Sequence, residues 1–316
     1  MVMGCKAPFL VNSPAIDKKS NAADRPSPPD HSPQGVMQRV PRVKACAGQR
    51  REGNYGDKHM GVKELFKLDG KVALITGGSR GLGLQMAEAL GEMGCRLAIT
   101  ARKADELLEA KTHLESMGFE VLTVVNDLSK TGQIPGLVDQ VLQRFSTIDI
   151  LVNNAGATWS APAEDYPDEA WRKVLGLNVD ALFFLSREVA RRCMIAQRSG
   201  KIINIASVAG LRGSATNVST IAYHTSKGAV VNFTRAIASE WGRHNINVNA
   251  ICPGFFPSKM SAGLLEKVGE AVMARAPLHR IGGDEDLKGV VVFLASEASR
   301  HITGQSIAVD GGISAV

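Results

Sequence analysis

From Lys71 onward the chain alternates between short unbroken apolar runs and longer stretches in which apolar residues recur every three or four positions. The runs are KVALIT, RLAIT, VLTVV, IDILVN, KIINIA, INVNAI and SIAV, seven segments of four to six residues each. That is strand length, and the intervening stretches are helix length. Strands without polar alternation are covered on both faces, the pattern of a parallel sheet with crossover helices on each side. The expected fold is therefore an α/β domain, a doubly wound seven-stranded parallel sheet with helices on both faces. It begins at Met60, where GVKELFKLDG forms a short amphipathic lead-in, and runs to residue 316. No repeat of solenoid length is visible.

Residues 1–59 show neither period. They hold seven of the thirteen prolines and two aromatics, Phe9 and Tyr55, and are expected to be disordered. Met60 also suits an internal start of translation; a genuine unstructured extension remains the alternative.

Composition places the charge rather than the fold. Hydrophobic residues at 44% with 22% charged are ordinary globular values. The formal charge of +6 invites a nucleic-acid or anionic-membrane reading. However, residues 1–59 carry ten Lys/Arg against five acids, leaving 27 against 26 in residues 60–316. The basic character is a property of the tail, which lacks interleaved aromatics and an amphipathic face, so neither partner is expected. The longest apolar run, around Val290 to Ala295, falls short of the roughly 18 residues that span a bilayer. Pro8, Pro14, Lys18 and Lys19 break up any signal-peptide core. Five cysteines without a CxxC pair predict a reducing, cytoplasmic compartment, and seven scattered histidines predict no metal site.

The first strand runs into TGGSRGLG, which places Gly77, Gly81 and Gly83 on a strand-to-helix turn with Ser79, Arg80 and Leu82 between them. Without Cβ atoms a backbone approaches a pyrophosphate closely, and the following helix N-terminus points N–H groups at it. A tight turn with close helix packing would use the same residues, but the position after the first strand favours a nucleotide. An acid at the end of the second strand would take a ribose 2′-hydroxyl, whereas an Arg accommodates a 2′-phosphate. Here that strand ends in Arg102 and Lys103, with no acid before Asp105, and Arg80 lies in the glycine turn. Two guanidinium forks favour NADP(H) over NAD(H).

Further along stand NNAG (Asn153 to Gly156), LGLNVD with Asn178, INIASVAG with Ser207, YHTSK with Tyr223 and Lys227, and the Pro253–Gly254 pair. In this order the motifs resemble the short-chain dehydrogenase/reductase family, over essentially residues 66–316 and with its Rossmann-type fold. The wording is most similar to bacterial 3-oxoacyl-carrier-protein reductases and gluconate-type dehydrogenases. Reducing a carbonyl requires a proton for the developing alkoxide, and a phenol with a pKa of about 10 needs a neighbouring cation. Lys227, one helical turn after Tyr223, is expected to lower it. Ser207 would donate to the substrate carbonyl, where charge grows. The resemblance implies that Lys227 also holds the nicotinamide ribose and that Asn178 holds a water of a proton relay. It further implies Asp127 and Leu128 beside the adenine, Asn154, Ala155 and Gly156 along the cofactor, and Pro253, Gly254 and Phe256 near the nicotinamide. Asn153 is expected to tie strands together instead. Cys252 and His224 read as a buried thiol and an outward-facing helical histidine. The resemblance also implies a homotetramer built on the long helices after the fourth and fifth strands.

Ser207 and Tyr223 lie 16 positions apart, a few more than is usual in the family. The polar stretch from Ala215 to Thr220 is expected to form a loop over the substrate. Phe255, Phe256, Pro257 and Met260 offer an apolar flank, which with the two arginines points to NADPH-dependent reduction of a 3-oxoacyl thioester. A sugar-acid dehydrogenase, using Asn217, Ser219 and Thr220, is the alternative, and a cofactor-binding regulator without turnover is the non-enzymatic one.

Overall fold

The computed structural model describes residues 60–213 and 218–316. The expected tail and part of the expected substrate loop, residues 214–217, lie outside the described residues. All seven expected strands form: β1 (Val72–Thr76), β2 (Arg96–Ala101), β3 (Val121–Val125), β4 (Ile150–Asn153), β5 (Gly200–Ile205), β6 (Ile246–Pro253) and β7 (Ser306–Val309). They lie in the order β3-β2-β1-β4-β5-β6-β7, every pair parallel.

The missing polar alternation has its physical reason in β1. Ala73 and Ile75 enter one core, with Met86 and Leu90 of α2 (Gly81–Glu92) and Val291 and Leu294 of α10 (Lys288–Ala295). Val72 and Leu74 enter the opposite core, with Leu137 of α4 (Ile134–Phe145), Leu185 of α6 (Ala181–Val189) and Ile237 of α8 (Ile221–Trp241). Both faces are thus apolar because both are covered. The lead-in holds a single-turn helix, α1 (Val62–Leu65), and α3 (Ala104–Ser116) joins β2 to β3. Between β4 and β5 runs one helical stretch, α5 (Asp168–Leu175), α6 and α7 (Ile195–Gln197), interrupted by π-helical turns at Gly176–Asp180 and Ala190–Met194. Asn178 sits in the first of these, and such turns recur at functional sites. Helix α9 (Ala262–Arg275) follows β6.

Asn153 ties strands and helices together as expected. Its Nδ2 donates to Asn204 Oδ1 and Ser186 Oγ, both at 2.9 Å, and Asn204 Nδ2 donates to Thr234 Oγ1 at 2.9 Å. The chain steps from β1 outward to β3, then returns to place β4 on the other side of β1. Doubly wound sheets bind ligands outside the carboxyl ends of the strands at this reversal.

Candidate active site

At the reversal Thr76 closes the joint between β1 and β4. Its Oγ1 accepts from the N–H groups of Asn154 and Ala155, each at 2.9 Å, and Asn154 Nδ2 donates to the carbonyls of Thr76 (2.9 Å) and Gly77 (3.2 Å). Asn154 therefore clamps the glycine turn. Gly77 (φ +64°) and Gly81 (φ +53°) are left-handed, and a Cβ on Gly83 would lie 2.1 Å from the Gly77 carbonyl oxygen. Arg80 precedes α2 in extended conformation with no side-chain cap, so the first N–H groups of the helix remain available. A glycine cradle that no side chain fits, facing an uncapped helix N-terminus, suits the pyrophosphate of a dinucleotide.

One cleft of about 610 Å³ lies here, lined by every predicted site residue except Asn178. Gly77, Ser79, Arg80, Gly81, Leu82 and Gly83 form one wall, with Asn154, Ala155 and Gly156 beside them. Arg102, Asp127 and Leu128 stand at the end nearest β2 and β3. Asp127 accepts from the N–H and hydroxyl of Ser129 at 3.1 and 2.7 Å, and that hydroxyl contact first of all holds its carboxyl below the usual range. Lys103 and Glu106 line the same end. Glu106, an acid one residue beyond Asp105, pairs with Arg80; β2 lies beside β1, so the first turn of α3 comes back to the glycine turn.

At the opposite end Ser207 follows β5, with its Oγ accepting from Ala209 N–H at 3.1 Å to cap a short 3₁₀ turn. Gly210, whose signal in the sequence was only its place in SVAG, lets this turn press on α8. A Cβ there would lie 2.5 Å from the Lys227 backbone. Ser207 is thereby held against Tyr223 and Lys227. The Lys227 ammonium donates to the Ile205 carbonyl at 2.6 Å and lies 5.6 Å from the centre of the Tyr223 ring. Loss of water pushes Lys227 down to about 8. Burial likewise raises the Tyr223 phenol, with a hydrogen bond from Ser207 pulling against it. Spacing brought the two groups together, but burial dominates the shifts of both, and the ammonium donates to a carbonyl.

Asn178 lies behind the cleft. Its Oδ1 accepts from Ala157 N–H at 2.8 Å, and its Nδ2 donates to the Ala157 carbonyl and to Ser226 Oγ, both at 2.9 Å. Both amide hydrogens are thereby committed to joining the β4 loop to α8. A Cβ on Gly156 would meet Asn178 Oδ1 at 3.2 Å and Lys227 Nζ at 3.8 Å. Pro253 and Gly254 line the cleft as β6 ends, with Gly254 pressed on Asp310. Cys252 is fully buried, its thiol pushed up to about 11 by loss of water.

One expectation needs correcting. His224 does not face outward: it lines the cleft, with Nδ1 at 3.1 Å from the Thr220 hydroxyl. The expected apolar flank lines the cleft through Phe255, Phe256 and Met260. Phe256 is 5% exposed and packs on Gly282, Phe255 packs with Val272, Ala276 and Ile313, and the exposed Pro257 is absent from the cleft wall. The two rings pack into the β6–α9 connection and line the cleft at the same time. Arg212, which sequence reasoning passed over, lines the cleft. Among the described residues no cluster of metal-ligating side chains occurs, and no helix is long and apolar enough to cross a membrane.

A family model described as enoyl-(acyl carrier protein) reductase matches residues 77–314. The chain is 40% identical over 254 residues to a 2-dehydro-3-deoxy-D-gluconate 5-dehydrogenase of Escherichia coli, covering 79% of this chain and 98% of the relative. It is 38% identical over 252 residues to the rhamnolipid-biosynthesis 3-oxoacyl-[acyl-carrier-protein] reductase of Pseudomonas aeruginosa, covering 78% and 97%. A gluconate 5-dehydrogenase of Burkholderia cenocepacia, solved in complex with NADP and tartrate, shares the fold with a TM-score of 0.77 at 34% identity, covering 81% of this chain and 100% of its own. The chain belongs to the short-chain dehydrogenase/reductase family, oxidoreductases acting on CH–OH groups.

Proposed function

We propose that this chain is an NADP(H)-dependent oxidoreductase that interconverts a secondary alcohol and a ketone on a gluconate-type sugar acid. The observation that carries this reading is the makeup of the substrate end. Arg212, Thr220 and His224 stand there with Ser207 and Tyr223, polar and charged groups set beside an apolar wall of Phe255, Phe256 and Met260. A guanidinium matches a carboxylate, and hydroxyls and an imidazole match the hydroxyls of a sugar. The solved relative that carries tartrate, a hydroxylated diacid, supports it. A 3-oxoacyl thioester, the first expectation from the sequence, is the second reading and is favoured by the Pseudomonas relative.

The glycine turn with Asn154 to Gly156 would hold the cofactor, which supplies the hydride. Arg80 and Arg102 supply the cations that favour a 2′-phosphate. For reduction Tyr223 must enter with its proton, and burial favours that state. Ser207 donates to the carbonyl oxygen as charge gathers there. Tyr223 then gives up its proton to the alkoxide, and Lys227, an ammonium at neutral pH, stabilises the phenolate that remains. The same family reading carries a homotetramer through the helices after β4 and β5.

Arg212→Ala tests the substrate class. It is expected to raise the KM for a 5-keto sugar acid on the order of tenfold or more, the worth of a charge-assisted hydrogen bond, and to leave an uncharged ketose unchanged. An equal effect on both refutes carboxylate recognition.

A further inference from the structure

Glu106 is an anion set among cations. Arg80 Nη1 and Lys103 Nζ both donate to its Oε1, at 2.7 and 3.1 Å. The carboxylate is the sheltered member, 23% exposed against 50% for Arg80 and 62% for Lys103. Its pKa is lowered, first by the Lys103 hydrogen bond and then by the charges of Arg80, Lys103 and Lys259, with slight burial opposing. Lys259, on the segment between β6 and α9, therefore also acts on it across the cleft. Arg102 lines the same end and has no carboxylate within ion-pair distance among the described residues. A charged oxygen held between a guanidinium and an ammonium is also what a phosphate oxygen would be there.

We propose that Glu106 is a resident counter-ion that competes with the 2′-phosphate of NADP(H) for Arg80 and Lys103, and so limits how strongly the chain prefers NADP(H) to NAD(H). The inference rests on the NADP(H) reading above. A phosphate arriving between these cations meets a carboxylate already bound to them. A ribose 2′-hydroxyl carries no charge and meets no such repulsion. Neutralising Glu106 therefore strengthens binding of the 2′-phosphorylated nucleotide selectively.

The experiment is calorimetric titration of the full chain and of Glu106→Gln with adenosine 2′,5′-bisphosphate and with 5′-AMP. The glutamine keeps the size and an acceptor oxygen for Arg80. The affinity ratio of bisphosphate to AMP should rise about three- to tenfold in the variant, the scale of exposed charge pairs acting on a doubly charged group, and the gain should shrink as salt is added. An unchanged or reduced ratio overturns the proposal, since Glu106 would then orient Arg80 for the phosphate. An unmutated chain that binds both nucleotides equally overturns the NADP(H) reading itself, a separate outcome visible before the variant is examined.

Discussion

Replacing Gly83 with alanine places a methyl group against fixed backbone. The new Cβ would lie 2.1 Å from the Gly77 carbonyl oxygen, 2.6 Å from Asn154 Nδ2 and 2.8 Å from the Gly77 carbonyl carbon. Non-bonded heavy atoms settle at about 3.5 Å, so the overlap exceeds an ångström. Gly77 cannot swing aside, because its N–H donates to Thr100 O at 2.8 Å and its carbonyl accepts from Asn154. Helix α2 would have to lift from the sheet and loosen Met86 and Leu90 in the core. Overpacking costs typically 1–3 kcal/mol, and a backbone obstacle places this case near the top, about 3 kcal/mol. In a domain of this size that lowers Tm by roughly 6–12 °C. The sign is diagnostic, because alanine in an unobstructed helix is worth about 1 kcal/mol over glycine. Gly289 in α10 is exposed with nothing within 4 Å of its Cβ position, so Gly289→Ala is the stabilising control. Thermal unfolding measures both, and titration with adenosine 2′,5′-bisphosphate should show weakened binding in Gly83→Ala alone. A Gly83→Ala protein with unchanged Tm and nucleotide affinity would refute the close-approach argument.

Tyr223→Phe removes the proton donor and little else. Its kcat for ketone reduction should fall on the order of 10²–10⁴-fold while nucleotide affinity holds; residual activity within tenfold of the unmutated chain assigns the proton to another group. The pH dependence follows from Lys227. Burial moves its loss of charge down to about 8, so the ammonium is present below that value and lost as pH rises through it. Tyr223, shifted upward, keeps its proton over the same range. The kcat/KM for reduction should be level from pH 6 to 7.5 and fall about tenfold per unit above about 8; a level profile to pH 10 contradicts the buried-lysine argument.

The strands were readable because burial on both faces erases polar alternation, and β1 shows that cause residue by residue. The glycine turn was readable because close backbone approach restricts residue type, and Gly83 shows the restriction in ångströms. Glu106 was not, because its partner Arg80 is 26 residues away and only the β1–β2 pairing joins them. Phe256 lines the cleft as its apolar neighbours suggested, but its packing on Gly282, distant in the sequence, was not readable. Helical spacing placed Lys227 beside Tyr223 but carried no information on burial, and burial decides the direction in which both groups shift.

The central claim is a sugar-acid substrate turned over with NADP(H). It is tested most directly by following NADPH oxidation by the full chain with 5-keto-D-gluconate and with a 3-oxoacyl thioester under identical conditions. The expected result is a kcat/KM for the keto acid at least about tenfold above the thioester, the scale of one well-placed charged contact. A thioester turned over as fast or faster would contradict it.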